Sequence, residues 1–172
     1  DPRSDDPALR MLAEDGFPLV LIGRLPDVNT CSVNIDNRAA ARVAVEHLLS
    51  LGHTRIACIC YSPPLSNMAA DERLCGYRDA LETANLPFDR KLIRYGNYTP
   101  ESGYQAMISF LDEAVSLTAV FVPSDVVAFG AMRAIHDREF RIPEEIAVVG
   151  FDDVPLARFA NPPLTTMHLP VV

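Results

Sequence analysis

Short apolar runs alternate along this chain with segments whose apolar residues return every three or four positions, and that alternation predicts its elements. The runs "FPLVLIG" (17–23), "RIACICY" (55–61), "KLIRY" (91–95), "TAVFVP" (118–123) and "IAVVGF" (146–151) have strand length and are mostly continuous. Continuous apolar character belongs to parallel strands covered on both faces. Between them, residues 37–51 set Ala40, Val43, Ala44, His47, Leu48 and Leu51 on one stripe, with Asp36 as N-cap and Gly52 as the stop. Residues 71–84 repeat the pattern through Leu74, Tyr77, Leu81 and Ala84. Thr99-Pro100 opens a third helix with a cap followed by proline at the first helical position, and 125–138 supplies a fourth through Phe129, Met132, Ala134 and Ile135. Four successive strand-helix steps predict an α/β class: a right-handed, doubly wound parallel sheet with helices on both faces.

The two ends fit this scheme less well. "DDPALRMLAEDG" predicts a helix ahead of the 17–23 strand, which has no earlier strand to pair with, and "NPPLTTMHLPVV" is a proline turn entering another extended run. A lone βα unit cannot bury both of its faces. The expected organisation is therefore a fragment: part of an N-terminal lobe over 1–36, a nearly complete C-terminal lobe over 37–162, and a crossover back toward the first lobe at 163–172.

Composition narrows the function classes. With 172 residues, 49% of them hydrophobic, the chain can bury one substantial core, or one core plus a fragment of a second. No apolar run approaches the ~20 residues of a membrane span. Fifteen basic against twenty-three acidic residues give a net charge of -8, which repels phosphate backbones and argues against direct nucleic-acid contact by these residues. The four cysteines, Cys31, Cys58, Cys60 and Cys75, show neither metal or redox spacing nor a disulfide framework, which points to a reducing cytoplasm.

In open α/β sheets ligands sit beyond the carboxyl ends of the strands, where loops and helix N-termini converge. That rule gathers Asp152 and Asp153 from "AVVGFDD" with Ser124 and Asp125, with Asn67 and Arg73, and with Tyr98. For the aspartates two readings stand, helix capping or ligand contact. Arg73, in the first turn of a helix begun at 71, opposes the helix dipole. Either an anionic or hydroxyl-rich ligand holds it there, or it is a solvated arginine paired with Asp71 or Glu72. On the ligand reading, Arg73→Ala removes binding and leaves stability nearly unchanged.

The ordered segments "DNRAAARVAVEHLLSLGHTRIACI", "ERLCGYRDAL", "PESGYQAM", "SDVVAFGAMRAI", "IPEEIAVVGFDD" and "NPPLTT" resemble the signature segments of the LacI/GalR family of bacterial transcription regulators, over roughly residues 17–170. The resemblance implies a periplasmic-binding-protein-like fold of two α/β lobes, here with one lobe nearly complete and the second truncated. It further implies a small-molecule effector in the interlobe cleft, homodimerisation, and operator binding through an N-terminal helix-turn-helix domain that these residues do not include. Carried over by motif, Arg73 of "RLCGY" and Asp152 of "GFDD" make paired hydrogen bonds to the effector, Tyr98 stacks on a sugar's apolar face or a base, and Asp36 lines the cleft at the lobe boundary. Ser124-Asp125 replaces the family's frequent Asn-Asp, and Asn67 stands where some members place arginine. Glu139 occupies a position usually held by a helix-ending glycine, where positive φ costs a side chain about 1 kcal/mol. Phe129 and Phe159 are dimer contacts by family position, the other reading being packing within one subunit. The set suits a neutral sugar, with a nucleobase left open.

Motifs for enzymes are absent: there is no phosphate-cradling glycine loop, nucleophile elbow or H-E-x-x-H. His47, His53, His136 and His168 are scattered, and His53 after Gly52 suits a helix terminus. Cys58 and Cys60 alternate along one strand and so share a core face. Met68, Met107 and Met132 read as core filling, and no cofactor or metal is expected. Three readings remain: the effector-binding core of a cytoplasmic regulator, which is favoured; a transport-type periplasmic sugar-binding protein; and an α/β enzyme using Asp152 and Arg73.

Overall fold

A computed structural model of the chain describes residue 2, residues 5–61 and residues 67–170. Its main body is a five-stranded, wholly parallel sheet built from β3 (Ile56–Tyr61), β4 (Ile93–Gly96), β5 (Ala119–Phe121), β6 (Ala147–Asp152) and β7 (Thr165–His168), in the order β4-β3-β5-β6-β7. Two helices cover each face. α2 (Asn37–Ser50) and α3 (Met68–Thr83) lie over Ile56, Cys58, Cys60, Phe121 and Phe151. α4 (Pro100–Asp112) and α5 (Asp125–Asp137) lie over Ala57, Ile59, Val120 and Val148. The alternation along β3 thus sends Cys58 and Cys60 to one side as buried free thiols. Met107 and Met132 are buried in the opposite layer.

Caps set the helix starts. Asp36 accepts from the Ala39 amide at 2.8 Å, Asn67 from Ala70 at 2.9 Å and Thr99 from Ser102 at 3.2 Å. Because Asn67 is a cap, α3 begins at Met68 rather than at 71. Arg73 consequently sits in the second turn, where the dipole argument against a cation lapses. The helix pairs close tightly at glycines: a Cβ at Gly130 would overlap the Pro100 carbonyl, and one at Gly76 the Arg38 carbonyl.

A second, two-stranded parallel sheet pairs β1 (Val20–Ile22) with β2 (Cys31–Val33), preceded by α1 (Pro7–Glu14). The 17–23 run therefore finds its partner downstream, in a three-residue strand too short to show as an apolar run. Val20, Ile22 and Val33 keep exposed faces. The extended run at 165–168 forms the edge of the large sheet beside β6, and Leu169 and Pro170 then approach Ile22 and Val33. Among the described residues no helix is long and apolar enough to cross a membrane.

Candidate functional site

The carboxyl ends of β3, β5 and β6 bring together side chains 61, 73, 124, 125 and 152, and Tyr98 follows β4. Arg73 is the hub. Its residue is only 9% exposed, its Nε donates to Asn37 Oδ1 at 2.9 Å, and its Nη1 donates to the Pro123 carbonyl at 2.8 Å and to Asp152 Oδ1 at 3.5 Å. The guanidinium lies 3.9 Å from the Phe151 ring centroid. Burial pulls its pKa down and Asp152 opposes that pull. The surface-arginine reading, and with it the expectation that Arg73 is removable at no cost to stability, is corrected by this burial.

Asp152 ends β6 with φ 117° and Asp153 follows at φ 55°, two successive non-glycine residues in the sparsely populated positive region. Burial raises the Asp152 carboxyl to about 6, against the pull of Arg73 and with help from Asp125. Asp153 turns away to His168, whose Nδ1 lies 2.8 Å from its Oδ2.

Asp125 does not face the mouth. It is fully buried, and its carboxylate accepts from the Val154 amide at 2.9 Å and from the Thr166 hydroxyl. It fixes the chain leaving β6 and also packs against Gly150, where a Cβ would overlap its Oδ1. Ser124 precedes it at the N-cap position of α5, yet its buried hydroxyl makes no cap hydrogen bond and lies beside Tyr61 and Asp152. Asn67 and Asp36 spend side-chain oxygens on their helices, and Asp36 is exposed.

Tyr98, at φ 65°, stacks on Tyr61 with ring centroids 3.7 Å apart and planes 10° apart. Burial raises both phenols, that of Tyr61 far above the ordinary tyrosine value. The Tyr61 hydroxyl is buried with no hydrogen-bond partner among the described residues; Ser124 approaches it without reaching bonding geometry. Two residues of this site carried no sequence signal. Tyr61 closes an apolar run and reads as strand core, and Asn37 reads as an ordinary first helical residue although it is 1% exposed and orients Arg73.

Beside Arg73 and Asn37 a hollow of about 260 Å³ opens toward the small sheet, lined also by Ile22, Gly23, Val33 and Ile35. Its walls are apolar and its polar groups few, the usual make-up of a small-molecule site. Among the described residues no His, Cys, Asp and Glu cluster has the arrangement to hold a metal ion.

Comparison with known proteins places this geometry in context. A family model described as periplasmic binding protein-like domain matches residues 45–172. The HTH-type transcriptional regulator CelR of Thermobifida fusca is 41% identical over 169 residues, covering 96% of this chain and 49% of that protein. Among solved structures, a transcriptional regulator CelR-cellobiose complex superposes with a TM-score of 0.91 at 40% identity, over 98% of this chain and 52% of that one. A LacI-family regulatory protein from Chloroflexus aggregans does so with a TM-score of 0.90 at 35% identity, over 99% and 61%. The chain spans about half the length of the curated relatives it matches.

Proposed function

Because the chain belongs to the periplasmic binding protein-like domain family, in the branch formed by the LacI/GalR transcription regulators, we propose that it is the effector-sensing and dimerisation core of such a regulator. Its effector is a small neutral sugar held against Arg73 and Asp152. The whole protein is not an enzyme, works in the cytoplasm without a cofactor, and meets operator DNA through a helix-turn-helix head.

The observation that carries this reading is the Arg73–Asp152 pair. At 3.5 Å the contact is loose, and the named partners of Arg73 leave its Nη2 donors unused among the described residues. Donor and acceptor stand side by side, the pattern that a sugar hydroxyl, itself donor and acceptor, completes. The ionised pair has no net charge, which suits a neutral ligand better than a phosphate or an organic acid. Tyr98 adds a partly exposed ring at the same rim for an apolar sugar face. Relatives named as regulators rather than transporters favour this reading over solute transport.

Ligand closure between lobes then alters the spacing of attached DNA-binding heads through a population shift. Phe129 and Phe159 serve the dimer: with Met132 and Leu156 they line an apolar depression of about 310 Å³, and Phe159 is 76% exposed.

Calorimetric titration of the intact protein with cellobiose, glucose, galactose, hypoxanthine and guanosine tests the assignment. A sugar that binds and changes operator affinity supports it. Binding of a base alone, or of nothing in the panel, overturns the sugar assignment.

A further inference from the structure

The least explained polar group among the described residues is the Tyr61 hydroxyl. The residue is 4% exposed, its oxygen is buried, and no hydrogen-bond partner for it exists among the described residues. A buried hydroxyl left in that state is destabilising, because the water it gave up is not replaced. Such groups call for an explanation. The ring itself is well housed: it ends β3 opposite Gly96, belongs to the apolar layer with Ala57 and Ile59, and stacks on Tyr98 at 3.7 Å. Through that stack on the partly exposed Tyr98 ring, the residue stands beside the rim where the ligand is proposed to sit. Next to it, the Ser124 hydroxyl is buried and unused for capping. Of these two neighbouring hydroxyls, that of Ser124 has Asp152 beside it as an acceptor, and that of Tyr61 has none among the described residues.

We infer that Tyr61, to which neither motif nor family position assigns a role, is a specificity-determining residue of the cleft: it donates its phenolic hydrogen to an acceptor oxygen of the neutral sugar, and its ring backs the Tyr98 ring against which the sugar rests. The inference rests on the sugar-effector reading and adds to it the ligand's side of the contact. With Tyr61 covering one face of Tyr98, a single face remains for stacking, as fits a pyranose laid on one side. The ligand then places a hydroxyl oxygen within reach of residue 61. A hydrophobic replacement keeps the stack and removes only the donor.

Tyr61→Phe in the intact protein separates the possibilities. Without sugar, the variant melts at or above the wild-type temperature, because an unpaired hydroxyl has been removed; a fall of more than about 2 °C reveals a structural partner and overturns the inference. With whichever of cellobiose, glucose or galactose the wild type binds, affinity drops about tenfold in the variant. One monodeoxy form of that sugar binds wild type correspondingly weakly and loses nothing further in the variant. Affinity within about twofold of wild type for the variant, while Arg73→Lys still weakens binding, overturns the role of Tyr61 and leaves the sugar reading intact. A wild type that binds none of the three sugars removes both, and locates the error in the sugar reading.

Discussion

The Arg73 guanidinium reaches the Asp152 carboxylate at 3.5 Å across seventy-nine positions of sequence while resting on the ring of Phe151. The same cation orders Asn37 at the start of α2 and the Pro123 carbonyl after β5, so four segments converge on one side chain. A group so placed is structural, and the proposed function makes it ligand-facing as well.

Replacing Arg73 by Ala therefore has two consequences. Binding of the sugar is lost, and stability falls by about 2–4 kcal/mol, because Asn37, the Pro123 carbonyl and Asp152 are left with a buried void and one unpaired carboxylate. Denaturant titration beside calorimetry measures both. Arg73→Lys retains a charge but not the planar fork, and is expected to keep most of the stability while losing the greater part of the affinity. Equal loss of both properties in the lysine variant contradicts a ligand-facing role.

Asp152 makes binding depend on pH. Its carboxyl is raised from the ordinary 3.8 to about 6, chiefly by burial, with Arg73 opposing and Asp125 assisting. A raised folded-state value means that the protonated carboxyl is the form favoured by folding. Its contribution to stability is thus present below about pH 4 and lost as pH rises through about 6. Sugar hydroxyls that donate to this group select the ionised form, so affinity moves the other way and is about tenfold weaker at pH 5 than at pH 7. Calorimetry across that range on wild type and Asp152→Asn checks the sign: the asparagine variant binds weakly and without the pH slope. A slope retained in the variant assigns it to another group.

Much of this architecture is legible in the sequence, and the reasons for the gaps are physical. Helix starts at Asn37 and Pro100 follow from capping chemistry and that at Asp125 from apolar period, which are local signals. The convergence of Arg73 and Asp152 follows from parallel topology, with Asp152 at the end of β6 and Arg73 early in the helix that follows β3. β2 is illegible because its three residues are all exposed and gain order only by pairing with β1. The burial of Arg73 is hidden because its sequence neighbours Asp71 and Glu72 are polar, whereas its surroundings come from β5, β6 and α2. Tyr61 is masked by the apolar run it closes. The positive φ values of Tyr98, Asp152 and Asp153 are imposed by tertiary packing and leave no glycine to announce them.

Glu139, by contrast, was readable. It follows α5 at φ 62°, in the left-handed region expected of a position that resembles a helix-ending glycine. Glycine removes the steric cost of the Cβ and adds some unfolded-state entropy, for a net gain of about 0.5–1 kcal/mol. Chemical denaturation of Glu139→Gly measures it, with sugar affinity unchanged because the residue lies at the opposite end of α5 from the mouth.

Gly130 carries the opposite expectation. A Cβ there would strike the backbone carbonyl of Pro100 and crowd the Tyr104 amide, where α5 packs on the start of α4. Backbone cannot swing aside as a side chain can, so Gly130→Ala separates the two helices and costs about 3 kcal/mol or more. Because Asp125, at the start of α5, holds the turn after β6 through Val154, the displacement propagates to Asp152. Weaker sugar binding accompanies the lower melting temperature. A variant as stable as wild type shows that the helix pair has slack that the glycine contact does not suggest.

Phe159 tests the dimer separately from the cleft. Its ring is 76% exposed and Leu156 beside it 60%, an apolar pair on a short helical turn, Pro155–Phe159, that lies next to Phe129 and Met132 of α5. Exposed aromatic and aliphatic groups gathered around a depression are the signature of a surface that another protein covers. Since the ring contributes little to the core of its own subunit, Phe159→Ser is expected to leave the monomer's folding nearly unchanged while raising the dimer dissociation constant tenfold or more, about 1.4 kcal/mol at least. Sedimentation equilibrium over a concentration series reads the constant directly. Sugar affinity at protein concentrations where both forms are monomeric stays at the wild-type value, because Phe159 lies on the α5 face of the sheet and not among the side chains gathered about Arg73. Loss of the fold in this variant identifies Phe159 as a core residue of its own chain, and an unchanged dissociation constant moves the dimer surface elsewhere.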